Sequence, residues 1–186
     1  MNDQIEMIDR VLGELQKNVA QRAVVFFRFG WVIFAGCISH YLLLLLGKEE
    51  WLRVVWIAVP IVCISQGILS GILTQRHTSI SHSEKLLGGV WGVAGLVMIY
   101  ISLIAPRLGL MPKELGLPMV LLILFFPIIL TGIAIKHTPT IVLSSLFFFG
   151  SIAVSALDLN YHLHILTLVI LFGLILPSHL IRVTFR

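Results

Sequence analysis

Residues Pro118–Ile135 read PMVLLILFFPIILTGIAI, an unbroken apolar stretch without a charged side chain. A helix rises ~1.5 Å per residue, so a run of this length reaches about 27 Å, close to the hydrocarbon thickness of a bilayer. Five further blocks match it: Val24–Leu46, Val54–Thr74, Leu86–Ala105, Ile141–Leu157 and His162–Ile181. Each is continuously apolar and lacks the in–out alternation of a barrel strand, which predicts helices. The expected fold is therefore all-α, a polytopic bundle of six transmembrane helices over residues 23–186, preceded by a short N-terminal segment over residues 1–22.

Composition agrees. The 186 residues are 58% hydrophobic and 12% charged, with a mean hydropathy of +1.02. Soluble domains carry about 25% charged residues, so a water-facing surface could not be built from this pool. The six blocks leave no room for a second domain. The opening MNDQIEMIDRVLGELQ has no basic region running into an apolar core, so no cleavable signal peptide is expected and the first span reads as an uncleaved anchor. Cys37 and Cys63 both fall inside spans. They read as small apolar residues rather than a disulfide.

Charge sets the expected orientation. With six spans, Arg10, Lys17, Arg22, Arg28, Arg76, Lys85, Lys136, Arg182 and Arg186 share one side, and Lys48, Arg53, Arg107 and Lys113 lie on the other. The positive-inside rule then places both termini in the cytoplasm of a bacterial cell, the chain lying in its cytoplasmic (inner) membrane. Tyr41, Tyr100, Tyr161, Trp51 and Trp56 fall at the outer ends of the spans, where amphipathic rings favour the interface. The formal charge of +4 follows from this bias and from attraction to anionic headgroups, with no need for nucleic acid as a partner.

Ile5, Ile8, Leu12, Leu15 and Val19 follow 3-4-3-4 spacing, the seam of an amphipathic helix about two heptads long. Its polar face is net acidic (Asp3, Glu6, Asp9 and Glu14 against Arg10 and Lys17), the opposite sign to a helix lying on anionic lipid. The seam therefore reads as a cytoplasmic surface for the protein's own basic loops, for another membrane or cytoplasmic protein, or for a second copy, with the lipid surface as the remaining alternative. The spans themselves echo one another. Trp31 and Trp91 stand sixty positions apart, and a further sixty reaches Phe149–Gly150. ILSGILTQRHT (Ile68–Thr78) parallels ILTGIAIKHT (Ile129–Thr138), with LPSHLIR (Leu176–Arg182) more distant. Three related helical hairpins are the expected organisation. Gly88 and Gly92, with Gly95 on nearly the same face, form one small-residue packing surface. Gly67 with Gly71 forms a second, and Ser144, Ser151 and Ser155 a third.

Few residues offer chemistry. Gln66 is a strong polar group near the middle of a span, so its amide should face other helices, as a structural bond or as a ligand contact. Arg28 is close enough to the end of its span to snorkel to the headgroups; a buried functional pair is the rival reading. His40, His162 and His164 lie on the outer side, and His77, His82, His137 and His179 on the inner. Imidazole suits metals, yet His77 and His82 are five apart, and His162 and His164 diverge on a regular helix. No metal or cofactor is expected, with His162 and His164 the weak candidates for haem or metal. Asp158, in the outer turn DLNYH, is placed to cap the sixth span. HExxH, GxSxG, Walker A and CxxC patterns are all missing, and GILSG (Gly67–Gly71) lacks the serine-protease spacing, so the chain reads as non-enzymatic.

FRFGWVIFAGCISHYLLL (Phe27–Leu44), the segment around Trp91, GIAIKHTP (Gly132–Pro139) and LILPSHLI (Leu174–Ile181) resemble a group of small six-helix membrane proteins from Bacteroidota, which often show WGW followed by a His/Gln-Tyr pair. The chain departs from that group where Pro177-Ser178-His179 replaces Pro-Gly-Tyr. The resemblance implies fold and compartment only. The function expected is a multi-pass protein acting through a partner or through self-association. The rivals are a small-molecule permease or a substrate-capture subunit of an uptake transporter, which would want a polar midplane cavity around Gln66. The AxxxA contact expected in the first span of such a subunit is replaced by Ala35–Ser39.

Overall fold

The computed structural model describes residue 13 and residues 28–75 and 82–184. The described chain is helical throughout, without strands. Helix α1 is described over Arg28–Leu45, followed by α2 (Leu52–Gln75), α3 (His82–Ile99), α4 (Gly116–Ala134), α5 (Thr138–Ala156), α6 (Leu159–Ile170) and α7 (Leu176–Thr184). The last two form one continuous sixth span, Tyr161–Thr184, and six helices are long and apolar enough to cross a membrane. The sequence blocks agree with these helices to within a few residues. The N-terminal seam (Ile5, Ile8, Leu12, Leu15, Val19) lies outside the described residues, as does His77.

Two of the helices contain a π segment that periodicity did not reveal: Tyr100–Ile104 after α3, and Leu171–Ile175 between α6 and α7. Each ends two residues before a proline, Pro106 and Pro177 respectively. A helical proline removes one N–H and its ring presses on the carbonyl four residues earlier; a widened turn ahead of it relieves that clash. Proline is not sufficient, because Pro60 in α2 and Pro127 in α4 sit in ordinary α-helix.

Helices α4 and α5 form the most extensively packed pair, and the turn between them shows why. The Lys136 N–H donates to the Ile133 carbonyl (3.1 Å) and the His137 N–H to the Gly132 carbonyl (2.9 Å), with Lys136 left-handed at φ 54°. This is a Schellman termination with a lysine where glycine is usual. The hairpin is so tight that a Cβ at Gly132 would stand 3.0 Å from the Ile141 backbone nitrogen. Leu121, Phe147, Val154 and Ile170 form the fully buried centre between α4, α5 and the sixth span. Ser151 ties the pair again at its other end, donating to the Pro118 carbonyl at 2.8 Å.

Helix α1 is clasped between α2 and the sixth span. A Cβ at Gly30 would meet Ile175 at 2.6 Å and one at Gly36 would meet Val59 at 2.6 Å, while Cys37 enters the core. The small-residue surfaces divide. Ser144 and Ser151 are buried and Gly67 faces the Phe29 ring, as expected of packing faces, whereas Ser155 is exposed. Gly88, Gly92 and Gly95 do not behave this way. Among the described residues nothing lies within 4 Å of a Cβ placed on any of them, so the described helices do not use the expected α3 seam.

Candidate functional site

The buried polar side chains concentrate at one end of α4, α5 and the sixth span, the end at which the chain begins α1 and finishes α7. Trp91 of α3 donates its indole N–H to Thr131 Oγ1 (3.2 Å), and the Thr131 hydroxyl donates in turn to the Pro127 carbonyl (2.6 Å). A hydroxyl has one proton and can accept as well, so Thr131 relays the indole onto a helix backbone. His137 caps α5 from extended backbone (φ −102°, ψ 91°). Its Nδ1 lies 2.8 Å from the Thr140 hydroxyl. Burial pushes the His137 imidazole below its ordinary pKa, because the charged form loses its hydration. Ser178 donates to the Leu174 carbonyl at 2.6 Å. Trp91, Thr131, Thr140 and Ser178 border a space of about 20 Å³, room for one water and no larger solute.

A second cluster sits at the opposite end, where α1, α2 and α6 meet. Trp56 donates its indole N–H to His40 Nδ1 at 2.8 Å. An indole can only donate, so Nδ1 is the acceptor and the ring proton of His40 belongs on Nε2. Tyr41 stands edge-on to His164, with ring centroids 5.7 Å apart. One turn inward, the Cys37 thiol lies beside Thr167. This cluster fastens α1 to both of its neighbours.

The residues singled out from sequence scatter over these two ends. His40 and His164 join the second cluster. His162 turns away, its Nε2 lying 3.1 Å from the Leu157 carbonyl. Among the described residues, no three His, Cys, Asp or Glu side chains gather in a way that could hold a metal. Gln66 of α2 is half-buried and precedes Gly67, which contacts Phe29. Arg28 is exposed at the start of α1. Asp158 occupies the N-cap position of α6 but makes no side-chain capping bond. The Trp–Thr relay and the His137–Thr140 contact were missed as a site. Their signal was the polar string Thr131–Thr140, TGIAIKHTPT, which sequence comparison used only to argue duplication. The three positions tied by that duplication also meet different surroundings: Trp31 is exposed, Trp91 is bonded to α4, and Gly150 is buried against Val169 and Leu121.

Compared with protein-family models, curated proteins and solved structures, the chain matches none.

Proposed function

We propose that the chain is a non-enzymatic, multi-pass protein of a bacterial cytoplasmic membrane, both termini cytoplasmic, that works by associating with another membrane protein or with a second copy of itself. The observation that carries this reading is the open glycine face of α3. Among the described residues, Gly88, Gly92 and Gly95 have nothing within 4 Å of a Cβ. In lipid, apolarity cannot drive helices together; close backbone approach and van der Waals packing do, and glycine faces provide for both. A second helix laid on α3 supplies that packing. The permease reading needs a polar midplane cavity around Gln66, whereas the space bordered by Trp91 and Thr131 lies at one end of the bundle and measures about 20 Å³. The acidic N-terminal seam then serves as the cytoplasmic contact.

The test is association in native membranes. Gly92→Leu is expected to abolish co-purification or dimer formation while leaving the midpoint of thermal unfolding within about 2 °C, since none of the described residues lies within 4 Å of a Cβ there. A Gly92→Cys variant is expected to crosslink to its partner across the same face. If Gly92→Leu associates as well as wild type, α3 faces only lipid and the reading fails.

A further inference from the structure

A cleft of about 420 Å³ runs along the sixth span, lined by Leu171, Phe172, Ile175, Leu176 and His179, with Trp31 of α1 across from them. Its existence follows from two features already described. The π segment Leu171–Ile175 widens the helix and rotates the side chains that follow it. Gly30 lets α1 touch Ile175, so the neighbouring Trp31 stands off as the opposite wall. Leu171, Ile175 and His179 recur every four residues, and their span sets the groove length at about 12 Å at ~1.5 Å per residue. The cleft lies within the size range of small-molecule sites, roughly 300–1,000 Å³.

Its chemistry is divided along its length. Five of the six lining residues present hydrocarbon or an indole ring. Trp31 (45%) and Phe172 (45%) remain substantially exposed, so the groove opens sideways, towards the surface that faces lipid in a spanning bundle. At one end the character changes. Arg28 precedes Trp31 by three residues and Arg182 follows His179 by three. Residues three apart share a helix face, so both guanidinium groups flank the same mouth of the groove. Of the nine acidic residues, Glu49, Glu50, Glu114 and Asp158 belong to the opposite end of the bundle, Glu84 stands in the first turn of α3 at the same end as the mouth, and Asp3, Glu6, Asp9 and Glu14 fall outside the described residues.

We propose that this groove binds one anionic phospholipid, with an acyl chain along Leu171–Leu176 against Trp31 and the phosphate held by Arg28 and Arg182 beside His179. A groove that opens into the bilayer takes its occupant from the bilayer. An apolar floor ending in two arginines matches a chain that ends in a phosphate, because guanidinium groups bind phosphate through charge-assisted and often paired hydrogen bonds. A zwitterionic lipid offers the same chain, but its choline brings a positive charge to the mouth.

The test is quenching of Trp31 by brominated lipid, with the full-length protein reconstituted in phosphatidylcholine vesicles and the Trp31 contribution taken as the difference from Trp31→Phe. Brominated phosphatidylglycerol is expected to reach half-quenching at a mole fraction about tenfold lower than brominated phosphatidylcholine. Arg28→Gln with Arg182→Gln should erase that preference and the double lysine variant should keep part of it. Leu176→Phe should weaken quenching by both lipids by crowding the chain. Circular dichroism of each variant confirms that the helices are intact. Equal quenching by the two lipids would overturn the proposal, and so would quenching by both lipids that Leu176→Phe leaves unchanged, which would indicate surface attraction alone. A Trp31 shielded from both lipids would mean that a second copy or another part of this chain covers the groove. Competition by inorganic phosphate in place of lipid would reassign the mouth to a soluble anion.

Discussion

Helices α4 and α5 with the sixth span, and helices α2 and α3, have nearly the same composition and opposite packing. Half of Tyr161–Thr184 is buried and 39% of Gly116–Ala134, against 6% of Lys85–Ile104 and none of Glu49–Leu69. Both groups are as hydrophobic as a bilayer requires, so hydrophobicity does not separate them. Shape does. The packed group has Gly132, Gly150 and Gly173 pressed against neighbouring side chains, and the open group has Gly88, Gly92 and Gly95 against none of the described residues. In a membrane, lipid covers an exposed apolar face at little cost, so a helix is drawn into a bundle only where its surface fits another. The packed group holds most of the buried core, and the open group presents its apolar faces outward.

The sharpest way to break this comparison uses two phenylalanines on one helix. Phe147 is fully buried and Phe149 is 62% exposed. Phe147→Ala is expected to cost about 3–5 kcal/mol through the cavity it leaves between α5 and Gly173, whereas Phe149→Ala should fall within about 0.5 kcal/mol of wild type. Reversible unfolding by denaturing detergent would measure both. Similar losses at the two positions would mean that α5 packs on all sides and that the division is false.

A smaller effect concerns the tie between the groups. Trp91→Phe and Thr131→Val each remove one partner of the indole–hydroxyl bond. A double-mutant cycle is expected to give a coupling of about 0.5–1.5 kcal/mol, in the range of interhelical hydrogen bonds in membranes. Zero coupling would leave α3 held by van der Waals contact alone.

The smallest expected effect is a pH dependence. His137 sits outside the spans, in the α4–α5 turn, with its folded pKa lowered by burial. In the unfolded chain it takes up a proton near pH 6.5. Between that value and the lower folded pKa, the unfolded state binds more protons than the native one, so stability falls as pH drops through this window and is flat above it. His137→Gln should flatten the slope between pH 7.5 and pH 5 in thermal unfolding. An unchanged slope would assign it to the other histidines.

Much of the fold was legible without coordinates. The run Pro118–Ile135 marked α4 to within two residues, and the block Ile141–Leu157 marked α5 to within three. The α4–α5 turn was harder to read, because its left-handed residue is Lys136 rather than a glycine, and lysine carries no turn signal. The candidate sites were only half legible. His40 was picked out, but its donor Trp56 lies on another helix, sixteen residues away, and pairing of that kind leaves no periodic trace. The π segments had a cue in Pro106 and Pro177. Pro60 and Pro127 share the cue without the outcome, so the cue alone could not have been used.

The sequence by itself determined that the chain has six helices long and apolar enough to span a membrane, because length and apolarity are local properties that any window of about twenty residues displays. It also determined how the basic residues divide between the two sets of loops. The tertiary structure decided which faces pack. Phe147 and Phe149 are the same residue in the same helix, and nothing in their chemistry separates them; only the shapes of Gly173 and of α4 do. In water, burial and apolarity go together, so a sequence announces its core. In lipid, every side of a spanning helix is apolar, and the core is known only once the helices have been fitted to one another.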